Sequence, residues 1–169
     1  QSLSSAASDV YKRQLLSIAP SGSVSVLTDS VEGSPIAYAD DVDVAADGKI
    51  YFSDASSKFG ARAHGGTYAA SLLDTMEHGG HGRVLVYDPA DHSTRVLLDG
   101  LNFANGIAVD ADSRFLLVAE TGHYRIKKYW LSGADRGTTD ILIDNLPGFP
   151  DNIVRAPNGR FWIGLVAPR

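Results

Sequence analysis

Short apolar runs alternate with tight polar turns along most of the chain, and the alternation repeats. Three stretches, residues 40–48, 105–113 and 151–159, align without gaps. Each opens on a polar pair (Asp40-Asp41, Asn105-Gly106, Asp151-Asn152), continues as a short apolar strand and turns at Asp47-Gly48, Asp112-Ser113 or Asn158-Gly159. Each then enters a second strand, over residues 50–53, 115–118 and 161–164. Asn-Gly and Asp-Gly between apolar runs accept the left-handed backbone of a two-residue turn, so the pattern predicts a hairpin each time. A second hairpin follows in two of the units, over residues 83–98 and 126–143.

Four strands per unit is the blade of a β-propeller. Asp112 and Asn158 are 46 positions apart, a blade length in the usual range of about 40–50 residues. Asp47 and Asp112 are 65 apart, so that unit carries an insertion of roughly twenty residues beyond the usual period. Residues 15–29 match only the outer hairpin of a blade, and residues 161–166 only the second strand of another. The expected fold is therefore all-β: half a blade, two blades and half a blade of a propeller over residues 15–169. Closure takes about 4–8 blades, so this stretch is expected to be part of a longer propeller. A β-sandwich would offer similar hairpins but no four-part register.

Two segments depart from the pattern. Residues 1–14 are rich in Ser and Ala, lack periodicity and contain no apolar stretch of signal-peptide type. They read as a non-native or disordered leader, outside the fold. Residues 56–82 form the insertion, and residues 67–77 within it predict a short helix with Tyr68, Leu72, Leu73 and Met76 on one face, bounded by Gly65-Gly66 and Gly79-Gly80. Such a helix lies on a propeller rim, where it serves either as a lid over the channel mouth or as plain cover for apolar surface. His64, His78 and His81 fall in or beside it. The glycine-flanked spacing, with no third ligand of fixed geometry nearby, argues against zinc. His123 is expected to be a surface residue without a partner.

Composition narrows the function. Hydrophobic residues make up 44% and charged residues 21%, an ordinary globular balance. The net charge of -5 and the lack of a Lys/Arg cluster exclude nucleic acid as the expected partner. No apolar run approaches membrane-spanning length, so membrane anchoring is expected only through sequence upstream. With no cysteine, disulfides and thiolate metal sites are excluded.

The polar pairs carry the candidate chemistry. Inner strands of successive blades line the central channel, so residues at one register point at a common centre. Here that register holds Asp40, Asn105 and Asp151, with Asp41 and Asn152 beside them. Converging carboxylate and carboxamide oxygens suit a hard cation, calcium above all, which takes about six to eight oxygen ligands. The alternative is that these residues serve only as turn or bulge residues before each strand.

Several stretches resemble the strictosidine synthase-like family, which also takes in adipocyte plasma membrane-associated protein. They include Tyr51-Phe52-Ser53-Asp54, residues 82–89, residues 98–106, Val118-Ala119-Glu120-Thr121 and residues 145–152, and the likeness runs from about Leu15 to the C-terminus. The resemblance implies a six-bladed propeller related to paraoxonases and to the gluconolactonase/senescence marker family, divalent-metal-dependent hydrolases of esters and lactones. It implies metal ligation by Asn105, Asp151 and Asn152, with Asp40 where the relatives usually have Asn. The expected function is a calcium-dependent hydrolase acting on a small-molecule ester or lactone. The alternatives are a Pictet–Spengler-type synthase, whose catalytic Glu would lie downstream of Arg169, or a non-catalytic binding propeller. Glu120 is expected to be a structural or channel-polar residue.

Overall fold

A computed structural model of the chain describes residues 5–11 and 13–169. The first sheet joins β1 (Ser5–Asp9), β2 (Gln14–Ile18) and β3 (Val24–Thr28), and a two-stranded clip follows, β4 (Ser30–Val31) with β5 (Ser34–Pro35). Two four-stranded antiparallel meanders come next. One is β6 (Ala39–Val44), β7 (Ile50–Asp54), β8 (Gly82–Asp88) and β9 (Ser93–Leu101). The other is β10 (Ala104–Val109), β11 (Phe115–Glu120), β12 (Arg125–Trp130) and β13 (Thr139–Ile143). The chain ends in the hairpin β14 (Gly148–Arg155) and β15 (Phe161–Pro168). The two meanders are the expected whole blades and the last hairpin the expected half blade, while the first sheet holds the expected hairpin β2–β3 and one strand more.

The leader departs from expectation. β1 pairs with β2 from Ser5↔Ile18 to Asp9↔Gln14, whereas the sequence reading placed residues 1–14 outside the fold; residues 1–4 and Lys12 lie outside the described residues. The reason is main-chain demand. An open strand edge presents a row of N–H and C=O groups that any small, flexible segment can satisfy, whatever its apolar pattern.

Inner strands β6, β10 and β14 stand side by side, and packing occurs between blades as well as within them. Val84, Val86 and Leu101 of one blade meet Ile107, Val109 and Leu116 of the next in one buried cluster. Leu15, Ile36, Ile50, Phe52 and Leu85 form the corresponding cluster one interface earlier. Ala108, Leu117 and Ile126 pack with Ile153 one interface later. β-strand alternation gives each sheet two apolar faces, so each blade can be buried only by its neighbours.

Between β7 and β8 runs α1 (Thr67–Glu77), matching the expected helix. His78 closes it in the left-handed conformation (φ 57), its N–H donating to the Asp74 carbonyl. The buried face is not the expected one. Tyr68 and Met76 are 76% and 81% exposed, and the helix beds instead on Ala70 and Asp74. Ala70, one of the two alanines on the helix, packs with Tyr38, Ala55, Ala61 and Phe103. Close seating on the rim thus selects the small face, leaving Tyr68, Leu72 and Met76 outward. No helix among the described residues is long and apolar enough to cross a membrane.

Candidate functional site

Each polar pair sits in a bulge. Pairing between β6 and β7 slips between Ala39 and Val42, that between β10 and β11 between Ala104 and Ile107, and that between β14 and β15 between Pro150 and Ile153. The skipped residues are Asp40-Asp41, Asn105-Gly106 and Asp151-Asn152. A bulge gives up regular pairing to re-aim a side chain, so the bulge reading and the channel reading describe one device. Three blades repeat it, and Asp40, Asn105, Asp151 and Asn152 line one cavity of about 590 Å³.

Gly106 makes the convergence possible. A Cβ there would lie 2.3 Å from the Asp151 carbonyl oxygen and 2.5 Å from the Ile153 nitrogen. Only a glycine lets β14 approach β10 this closely, and that approach brings Asp151 and Asn152 beside Asn105.

The electrostatics of the cavity are strained. Burial, then the neighbouring Asp151 and Asp41 carboxylates, push the Asp40 carboxyl up to about 7. Among the described residues no Lys, Arg or His pairs with Asp40 or Asp151. Asn105 is 7% exposed, and no described side chain or main-chain group hydrogen-bonds its carboxamide. The Asn152 amide nitrogen, turned toward Asp151, donates to both carboxylate oxygens at 3.2 Å. Turned the other way, it adds a third oxygen to the same spot. Two carboxylates and two carboxamides, unneutralised and sharing one hollow, fit a hard cation by donor chemistry. Among the described residues no group of three or more His, Cys, Asp or Glu side chains could hold a metal, so the donor set depends on the amides.

Asp41 has a different task. Its Oδ1 accepts from the Val42 N–H at 2.9 Å and its Oδ2 from the Ile107 N–H of the next blade at 2.8 Å. Asp43 repeats this with Val44 at 2.8 Å and Val109 at 2.7 Å. These carboxylates satisfy the main-chain donors of β10 that face the neighbouring blade.

Sequence reasoning missed the residues that hold the rim over the cavity. The Tyr38 hydroxyl donates to the Thr67 carbonyl at 3.2 Å, tying the entry to β6 to the first turn of α1, and its ring meets Phe103 edge-on at 5.3 Å. Burial, followed by the charge of Asp40, raises the Tyr38 hydroxyl pKa. Tyr68 and Leu72 of α1 line the cavity together with Asp40 and Asn105, which favours the lid reading over plain cover.

Two buried acids at matching positions anchor the segments entering the inner strands. Asp54 accepts from the Tyr38 N–H at 2.7 Å and from Arg83 Nε at 2.8 Å. Glu120 accepts from the Asn102 N–H at 3.0 Å and from Arg125 Nε at 2.6 Å. Glu120 is 0% exposed. Burial alone would raise its pKa, but Arg125, the Asn102 N–H, His123 and Lys127 together hold it down at about 2. With both oxygens engaged and no exposure, its observed task is to anchor the chain entering β10.

His123 corrects the expectation of a surface residue without a partner. Its Nδ1 lies 2.7 Å from Glu120 Oε1, and its Nε2 lies 3.0 Å from His78 Nε2. The other two insertion histidines stay apart from this pair: His64 Nδ1 lies 3.0 Å from the Gly60 carbonyl, and His64 and His81 both stack edge-on against Phe59.

Blades of this order, with bulged inner strands opening into a polar cavity, define part of a β-propeller. In the solved structures, a gluconolactonase from Xanthomonas campestris superposes with a TM-score of 0.72 at 20% identity, over 94% of this chain and 51% of that one. The strictosidine synthase family profile matches residues 40–134, and the chain belongs to that family. It is 38% identical to Protein STRICTOSIDINE SYNTHASE-LIKE 13 of Arabidopsis thaliana over 152 residues, covering 89% of this chain and 36% of the relative. It is 40% identical to human (Homo sapiens) adipocyte plasma membrane-associated protein over 136 residues, covering 80% and 31% respectively. The chain thus spans about a third of the length of these curated relatives.

Proposed function

We propose that the protein is a hydrolase of esters or lactones that depends on a divalent cation, calcium above all, and that this chain contributes part of its site. One observation carries the reading: Asp40, Asn105, Asp151 and Asn152, from three consecutive blades, share a cavity in which no described residue neutralises the two carboxylates. The superposition on a gluconolactonase supports the same class. In such a site Asp40 and Asp151 would supply charge, and Asn105 and Asn152 neutral oxygens. A cation held there would polarise a substrate carbonyl and stabilise the oxyanion that develops on it. The chain's own contribution is orientation and shelter. The bulges aim the four side chains, Gly106 sets the spacing, and α1 closes one side of the cavity with Tyr68 and Leu72.

The test uses the complete protein and a panel of aryl esters and lactones. Activity is expected to vanish on chelation, return with calcium, and fall sharply in Asn105→Ala. Activity indifferent to both treatments would refute the reading. Calcium binding without turnover of any ester or lactone would point instead to a binding propeller.

A further inference from the structure

We infer that His78 and His123 form a second metal site, a two-histidine chelate for a divalent transition ion that staples the lid helix to the neighbouring blade. The site is separate from the channel and stands on different observations. His78 terminates α1, and His123 ends the short 3₁₀ turn Thr121–His123 that follows β11, so the two belong to consecutive blades. Their Nε2 atoms are 3.0 Å apart, and the rings meet at 76° with centroids 4.4 Å apart. The pair is open to solvent: His78 lies on the exposed surface, and the His123 side chain is 33% exposed.

The distance suits one ion. With metal–nitrogen bonds of about 2.0–2.1 Å, two imidazoles on a tetrahedral zinc ion stand roughly 3.3 Å apart. Tetragonal copper or nickel brings them closer, to roughly 2.9 Å. A shift of a few tenths of an ångström therefore turns this contact into a chelate. The proton now shared between the two Nε2 atoms is what the metal would displace.

The orientation of His123 is the second argument. Glu120 is fully buried and ionised, and its Oε2 is taken by Arg125 at 2.6 Å, with Lys127 at 3.6 Å. Its Oε1 is left for the Asn102 N–H and His123 Nδ1. In the tautomer that donates from Nδ1 to Glu120, the lone pair of His123 lies on Nε2, toward His78, and this is the form a metal would select. Carboxylate–histidine–metal is the usual way proteins prepare an imidazole ligand. Asn102 completes the frame: its Oδ1 accepts from the Gly80 N–H at 3.1 Å, and its amide nitrogen lies 3.0 Å from the same Nδ1, which it shares with Glu120. The loop just after α1 and the His123 ring are thereby held by one side chain.

Ligand chemistry separates the two sites. The channel offers only hard oxygens, suited to calcium, whereas imidazole nitrogens select zinc, copper or nickel. With the ion bound, the C-terminal end of α1 would be fixed to the β11–β12 junction, which restrains the lid whose Tyr68 and Leu72 line the channel cavity. Protons compete for both imidazoles, so binding weakens as the solution is acidified.

The experiment is a Zn²⁺ titration of the complete protein in saturating calcium, by calorimetry, with hydrogen exchange of the insertion followed in parallel. One Zn²⁺ is expected to bind per chain in the micromolar range and to slow exchange at the end of α1. His78→Asn, which suits the left-handed cap, and His123→Gln should each weaken binding at least about tenfold. His64→Asn and Asn105→Ala should leave it unchanged. Cu²⁺ bound at the site should show nitrogen hyperfine coupling that both histidine variants remove. Circular dichroism confirms that each variant is folded. Binding that survives both histidine variants, or that disappears with Asn105→Ala, would overturn the inference, as would the absence of any binding tighter than millimolar.

Discussion

The Oδ2 of Asp41 accepts a hydrogen bond from the Ile107 N–H at 2.8 Å, joining the inner strands of two blades through a side chain. Asp43 does the same for Val109 at 2.7 Å. β6 and β10 belong to different sheets, so their backbones do not pair as neighbours in one. The Asp41 and Asp43 carboxylates bridge them instead.

Removing this clasp should cost stability without touching the channel. Asp43→Ala leaves a buried N–H without an acceptor, an expected loss of about 1–3 kcal/mol. Asp43→Asn keeps an acceptor oxygen and should lose clearly less. Urea denaturation of the complete protein checks the order, and equal losses would show that the acceptor is not the reason.

Gly106→Ala should be among the most damaging small substitutions. The new methyl would sit 2.3 Å from the Asp151 carbonyl oxygen, so β14 must move away from β10. Overpacking of this kind costs about 1–3 kcal/mol or more. Because the movement carries Asp151 away from Asn105, calcium affinity should fall with stability. Denaturation and calcium titration on the same sample test the coupling.

Stability without metal should depend on pH in a direction set by Asp40. Its carboxyl is raised to about 7 in the folded state, against an ordinary value of about 3.9. The folded state therefore binds more protons than the unfolded state, and stability falls as pH rises from about 4 to 7. Asp40→Asn should flatten that slope, and calcium should reverse it by neutralising the pair. Melting temperatures across this range, in chelator and in calcium, are the measurement.

The lid should govern substrate choice. Tyr68 is 76% exposed and lines the cavity, so Tyr68→Ala should leave the melting temperature nearly unchanged. KM for esters with bulky apolar groups is expected to rise several-fold, with little change for the smallest substrates. A uniform loss across substrates would assign Tyr68 a structural role.

Local pattern determined a good deal. The hairpins at Asp47-Gly48, Asp112-Ser113 and Asn158-Gly159, the four-strand recurrence, the helix over residues 67–77 and the common register of Asp40, Asn105 and Asp151 all follow from short-range periodicity and turn chemistry. Those features depend on residues within a few positions of one another, so they can be read along a line. Tertiary structure decided what depends on distant partners. Which face of α1 is buried was settled by seating on Tyr38 and Phe103, where Ala70 fits and Tyr68 does not. Asp41 serves the neighbouring blade rather than the channel because Ile107, 66 positions away, presents an unpaired N–H there. His123 meets His78 across 45 positions, and only the packing of one blade against the next puts those two imidazoles in contact.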